Sequence, residues 1–139
     1  MSILIETDIL LALISHGDKH HADVVKFLDN LLGKIKISPY SLIELNLLLK
    51  SRTIIVKEVT AFYNALSNLL KYREISTFPI KPEYHCEAFK LREKYKFLTY
   101  FDSLHAAVGI VENLEIVSYD KEYAKLTELK YSHPDKYTR

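Results

Sequence analysis

Residues 3–8 read Ile3-Leu4-Ile5-Glu6-Thr7-Asp8. Three consecutive aliphatic side chains without alternation suit a short strand buried on both faces, as in parallel sheets, and the acids that follow give it a polar carboxyl end. Parallel sheets bind ligands beyond the carboxyl ends of their strands, so Glu6 and Asp8 stand where such a fold places chemistry. Their i, i+2 spacing directs both to one face if the strand conformation persists.

The rest of the chain is read outward from this strand. Val24, Phe27, Leu28, Leu31 and Leu32 trace a helical face over residues 18–32, with Gly33 as the stop. Ile35 to Ser38 is a second strand, and Pro39 starts a helix through Leu42, Leu45, Leu48 and Leu49 to about Arg52. From Ile55, the positions Val59, Phe62, Leu66, Leu69 and Leu70 predict a longer helix that closes at Arg73. Ile75 to Ile80 reads as a third strand, and Pro82 opens a helix burying Tyr84, Ala88, Leu91 and Tyr95. Small residues in Leu104 to Val111 predict a tightly packed helix headed by Asp102. Leu114 to Ser118 is the fourth strand, and Asp120 opens a final helix carrying Tyr123, Leu126 and Leu129. The tail from about residue 130 is expected to be weakly ordered. Strands alternating with helices argue for one α/β domain over residues 1–139, a sandwich around a small, mostly parallel sheet.

At 139 residues, with 48% hydrophobic and 27% charged, the chain is long enough for a sizeable core and unlike disordered or collagen-like sequences. The single cysteine, Cys86, excludes an internal disulfide and a cysteine-rich zinc site. The apolar stretches fall short of the roughly 20 residues that cross a membrane, and the N-terminus lacks a basic secretory n-region. The expectation is a cytoplasmic protein without a membrane association.

Five acids mark element ends. Glu6 and Asp8 follow the first strand, Asp120 follows the fourth, Asp102 heads a helix, and Glu44 lies one turn inside another. Carboxylates gathered without a cation repel and resist ionisation, so convergence would imply a hard divalent ion. Oxygen ligation without cysteine favours Mg²⁺ or Mn²⁺ over Zn²⁺.

The ordered blocks Ile5-Glu6-Thr7-Asp8-Ile9-Leu10, Ser41-Leu42-Ile43-Glu44-Leu45, Phe101-Asp102-Ser103-Leu104-His105-Ala106-Ala107 and Ile116-Val117-Ser118-Tyr119-Asp120 resemble the PIN-domain nucleases, including VapC-type toxins. The resemblance spans residues 3 to about 129 and implies a three-layer α/β/α sandwich. It also implies a metal-dependent endoribonuclease, with Glu6, Glu44, Asp102 and Asp120 as the catalytic acids and Asp8 joining them at the metal. Thr7 and Ser118 would support them. RNA as substrate, a cognate antitoxin and a homodimer follow from the same resemblance. The family usually begins with Asp where this chain has Glu6, and often has Asn at the position of Asp8. One added methylene can displace a ligand by about an ångström, a scale at which misplacement costs about 10²-fold in rate. A catalytically degenerate RNA- or protein-binding module is the second reading.

Simpler roles stand beside these. Asp8 and Asp120 could cap helices, and Asp102 could complement a helix dipole. His16 and His20 have the spacing of a two-histidine metal site, but Gly17-Asp18 reads as a turn and no third ligand accompanies them, so a solvated loop is expected. His105 is expected to pack. Tyr40, Tyr100 and Tyr119 are candidate base-stacking rings, and the run Lys90, Arg92, Lys94, Lys96 is expected to be a solvated face. The net charge is +1; with the five site acids set aside, 13 acids face 19 cations, leaving +6 for contact with a phosphate backbone.

Overall fold

The computed structural model describes residues 2–138. Strands β1 (Ile3–Ile5), β2 (Ile35–Ile37), β3 (Glu115–Val117) and β4 (Tyr131–Ser132) form one sheet in the order β2-β1-β3-β4, with every pairing parallel. β1 is central: Ile3, Leu4 and Ile5 pair with Ile35, Lys36 and Ile37 on one side and with Glu115, Ile116 and Val117 on the other. All three β1 side chains are fully buried, which is why the strand shows no polar alternation.

The pleat sends these side chains to two cores. Ile3 and Ile5 join Val117 and the inner faces of α1 (Thr7–Ile14), α2 (His21–Asn30) and α4 (Val59–Tyr72), including Leu10, Phe27 and Leu66. Leu4 joins Ile116 and the inner faces of α5 (Pro82–Lys94) and α6 (Tyr100–Val111), including Tyr84, Leu91 and Leu104. α3 (Pro39–Lys50) contributes Leu45 to the first core and Tyr40 to the second. The result is a three-layer α/β/α sandwich. Each fully buried Leu or Ile contributes roughly 1.5–3 kcal/mol from the apolar surface it removes from water.

Local chemistry sets the helix ends. Ser38 caps α3 by accepting the Tyr40 N–H at 3.3 Å, and Pro39 follows at the first helical position, where its missing N–H costs nothing. α2 ends at Asn30, and Gly33 takes φ +80° in the turn that leads to β2. Left-handed residues after α3, α4 and α6 are Arg52, Glu74 and Asn113, so those ends carry no glycine in the sequence. Gly109 lets α6 pack closely on the segment before β4: a Cβ there would lie 2.9 Å from Leu129 Cδ1.

Four expectations change. The strand expected over Ile75 to Ile80 is reduced to a single parallel bridge between Ser76 and Lys36. The Ile37 carbonyl, where the next ladder bond would fall, accepts the Thr77 hydroxyl at 2.7 Å, and Pro79 beyond it has no N–H to donate. The helix expected after Asp120 is a 3₁₀ turn, Lys121–Lys125, and α4 begins at Val59 rather than near Ile55. Residues 131–138, expected to form a loosely held tail, carry β4 and α7 (Asp135–Thr138), with the Tyr137 ring 5.5 Å from that of Phe27. Among the described residues no helix is long and apolar enough to cross a membrane.

Candidate active site

The acids gather at the carboxyl end of the sheet. Glu6 leaves β1 and caps α1, accepting the Asp8 N–H at 3.1 Å, and is 5% exposed. Glu44 projects from the second turn of α3, Asp102 from the first turn of α6, and Asp120 follows β3. His105 and Tyr123 join them. His105 Nε2 lies 2.9 Å from Glu44 Oε1 and 3.7 Å from Glu6 Oε2. The Tyr123 hydroxyl lies 3.4 Å from Glu6 Oε2 and 3.3 Å from Asp102 Oδ1. Thr7 donates its hydroxyl to Glu44 Oε1. Among the described residues no lysine or arginine forms an ion pair with any of these acids.

Proton affinities follow from this placement. Burial pushes Glu6 well above the usual carboxylate range, and the nearby charges of Asp8 and Asp102 push it further. Burial also raises Asp102; the Thr99 side chain offsets part of this, and the charge of Asp120 adds to it. For Glu44, burial is outweighed by hydrogen bonds from His105 and Thr7, which hold it below its ordinary value. Burial and the surrounding acids raise Tyr123 far above the usual phenol range, so it remains a hydrogen-bond donor. Glu6, Glu44 and His105 bring polar atoms within 4.8 Å of one another, and a group of carboxylates with no lysine or arginine paired to it among the described residues fits a divalent ion held by oxygen.

Asp8 stands beside Glu6 and is also engaged by backbone and hydroxyl donors. Its Oδ1 accepts the Ile9 N–H at 2.7 Å, and its Oδ2 accepts both the Ser118 hydroxyl and the Tyr119 N–H at 2.8 Å. The carboxylate therefore ties the start of α1 to the end of β3. Ser118 Oγ in turn accepts the Asp120 N–H at 3.0 Å, and Asp120 accepts from the Glu122 N–H at 3.0 Å, so Asp120 caps the 3₁₀ turn as well as facing Asp102.

Of the three tyrosines considered for stacking, Tyr40 is buried and bonds His85 at 2.7 Å, and the Tyr119 ring stacks on His20 at 3.8 Å. Tyr100 alone of the three is open to solvent, with the Arg92 guanidinium 5.1 Å from its ring centroid. Arg92 also donates to Ser103 at 2.6 Å, so the basic run is not uniformly solvated. His16 lies against His21, apart from the acids.

The burial expected of His105 and of Tyr123 is observed, and each also makes polar contacts within the group, which apolar periodicity does not signal. Each stands three residues after a site acid, Asp102 and Asp120, the one available hint.

Comparison with known proteins matches the chain to a family. The chain has a fold similar to VapBC2 from Rickettsia felis bound to a DNA fragment from its promoter, with TM-score 0.76, 21% identity, and coverage of 96% of this chain and 98% of that one. It is similar to a toxin-antitoxin complex from Klebsiella pneumoniae, with TM-score 0.69, 21% identity, and coverage of 96% and 98%. VapC20 of Mycobacterium tuberculosis, a sarcin-ricin loop cleaving toxin, aligns with TM-score 0.70 and 17% identity over 93% of this chain and 99% of that one. A comparison with curated proteins returns no match. The PIN domain family model covers residues 3–129, from the first residue of β1 past the last of the gathered acids. By that match over nearly its whole length, the chain belongs to the PIN domain family.

Proposed function

We propose that this chain is an endoribonuclease dependent on Mg²⁺ or Mn²⁺ and the toxin of a toxin-antitoxin pair. The observation that carries this reading is the meeting of Glu6, Glu44, Asp102 and Asp120 at one end of a parallel sheet, with no lysine or arginine paired to them among the described residues. These four acids would hold the cation, with Glu6 in the first acidic position. Asp8, its oxygens engaged by β3, would act as a brace instead. A cation bound there would polarise a water and offset charge growing on the scissile phosphate.

The chain's own groups prepare that site. Thr7 and His105 both address Glu44 Oε1, which orients the carboxylate and leaves Oε2 for a ligand. Tyr123 keeps its proton and donates between Glu6 and Asp102, so these two acids are held together in spite of their repulsion. Ser118 holds Asp8 and the Asp120 backbone, and thereby the loop that presents Asp120.

An antitoxin partner is supported by the structural neighbours, several of which are toxin-antitoxin complexes. RNA as substrate rests on the family resemblance and on the neighbour described as a sarcin-ricin loop cleaving toxin. A homodimer is supported by the exposed Ile43 and Leu47, one turn apart on α3.

RNA cleavage measured with Mn²⁺, with Mg²⁺ and with EDTA, for the wild type and Asp102→Asn, tests the proposal. Cleavage should need the metal and fail in the variant. Activity that survives both EDTA and the substitution would sink it, and metal binding without cleavage would favour the non-catalytic module.

A further inference from the structure

We propose that His105 is a positioning residue, locked as the Nε2–H tautomer by the capping hydroxyl of α3 and donating to Glu44, and not a ligand of the cation. The inference rests on the reading of Glu44 as a cation-holding acid. His105 is fully buried in the middle of α6, with Nδ1 2.6 Å from Ser38 Oγ and Nε2 2.9 Å from Glu44 Oε1.

A count of protons decides between the two neutral tautomers. Ser38 is fully buried, and its Oγ has two partners among the described residues: the Tyr40 N–H at 3.3 Å and His105 Nδ1. An amide N–H only donates, so the single hydroxyl proton of Ser38 has one acceptor, the Nδ1 lone pair. The ring proton then sits on Nε2, aimed at Glu44. The opposite tautomer would strand the hydroxyl proton in a buried site. It would also press the Nε2 lone pair against a carboxylate oxygen at hydrogen-bonding distance. Both ends of the ring choose the same state.

The consequence reaches the acids. Glu44 Oε1 receives two donors, Thr7 from α1 and His105 from α6, while Glu44 itself rides on α3. Three elements thus converge on one oxygen, which fixes the carboxylate plane. In this tautomer the nitrogen that faces the acids, Nε2, carries a proton, and the one lone pair, on Nδ1, is taken by the Ser38 hydroxyl, so the cation would see oxygen ligands alone, the preference of Mg²⁺ and Mn²⁺. The N-cap of α3 and the orientation of Glu44, six residues later on that helix, are set by the same hydroxyl.

The test is a long-range ¹H–¹⁵N spectrum of the full chain with labelled histidine at neutral pH, without metal and then titrated with Mg²⁺. The expected result is a protonated Nε2 and a bare Nδ1 on His105, unchanged at saturating Mg²⁺. A proton on Nδ1, on both nitrogens, or a proton lost from Nε2 as Mg²⁺ binds would overturn the proposal. If the protein binds no Mg²⁺, the metal reading fails while the tautomer is still decided by the first spectrum. Ser38→Ala should scramble the tautomer and weaken Mn²⁺ binding by about 10-fold or more, as loss of partners behind metal ligands does, and Ser38→Thr should restore both. An unchanged spectrum and affinity in a folded Ser38→Ala variant would overturn the claim that this hydroxyl sets the ring.

Discussion

Glu112, Glu115 and Glu128 each lie against a lysine and a tyrosine hydroxyl, whereas Glu6 and Asp102 share a tyrosine hydroxyl and, among the described residues, pair with no lysine. Glu112 takes Lys81 at 2.7 Å and Tyr84 at 2.6 Å; Glu115 takes Lys136 at 3.1 Å and Tyr137 at 2.5 Å; Glu128 takes Lys94 at 3.2 Å and Tyr95 at 2.6 Å. All three have depressed proton affinities. Glu128 falls to about 2, first through the Tyr95 hydrogen bond, with Lys94 contributing. Glu6, buried, and Asp102, half-buried, with the Tyr123 hydroxyl between them, are raised. The protein therefore builds a cation into its surface clamps and leaves one out at the end of the sheet. The missing charge is what a bound divalent ion would supply.

The largest test of this contrast is catalytic. Asp102→Asn and Glu44→Gln should each lower Mn²⁺-dependent RNA cleavage by about 10²-fold or more, while Glu112→Gln, read in the same initial-rate assay, should stay within about twofold. An equal fall in Glu112→Gln would erase the distinction. Next in size is binding: Mn²⁺ at about 100 times its Kd should add about 2.7 kcal/mol, on the order of 5–10 °C in Tm for a chain of this length. Glu6→Gln should remove most of that shift in a melting experiment, and Glu115→Gln should keep it.

pH sharpens the comparison further because the two sets have opposite signs. An acid whose folded-state affinity is raised stabilises fully below its ordinary value of 4.5, and that contribution is lost as pH climbs towards the folded value. The metal-free protein should thus lose stability above pH 4.5 through Glu6, by up to about 1.4 kcal/mol per pH unit, and urea unfolding of Glu6→Gln should show a flatter profile. Glu128 runs the other way: its contribution is present above 4.5 and lost as pH falls towards about 2. Solvent screens this surface clamp, so Glu128→Gln should cost only about 0.2–1 kcal/mol at neutral pH, the smallest effect of the set.

Much of the fold was legible because it is written in neighbouring residues. β1, the Ser38-Pro39 start of α3, the Pro82 start of α5 and the small-residue face of α6 are local patterns. The ends of α3 and α4 were harder, since Arg52 and Glu74 take the left-handed conformation usually signalled by glycine. The segment from Ile75 to Ile80 has strand composition, but its fate was set by what lies beside it: one bridge to β2 and then a proline. β4 is two residues long and exists only because the edge of β3 is there to pair with it.

The sequence by itself determined the alternation of strands and helices, the acids at the element ends and the resemblance they carry, because each depends on spacing along the chain. The tertiary structure decided which partners these acids meet. It set Asp8 on Ser118, 110 residues away, and turned Glu6 towards His105 and Asp102 as well as Asp8. It also gave His105 and Tyr123, both expected to pack, polar partners 61 and 117 residues distant in sequence. A side chain's type fixes what it can donate or accept, but which partner meets it depends on how the sheet and helices close around it.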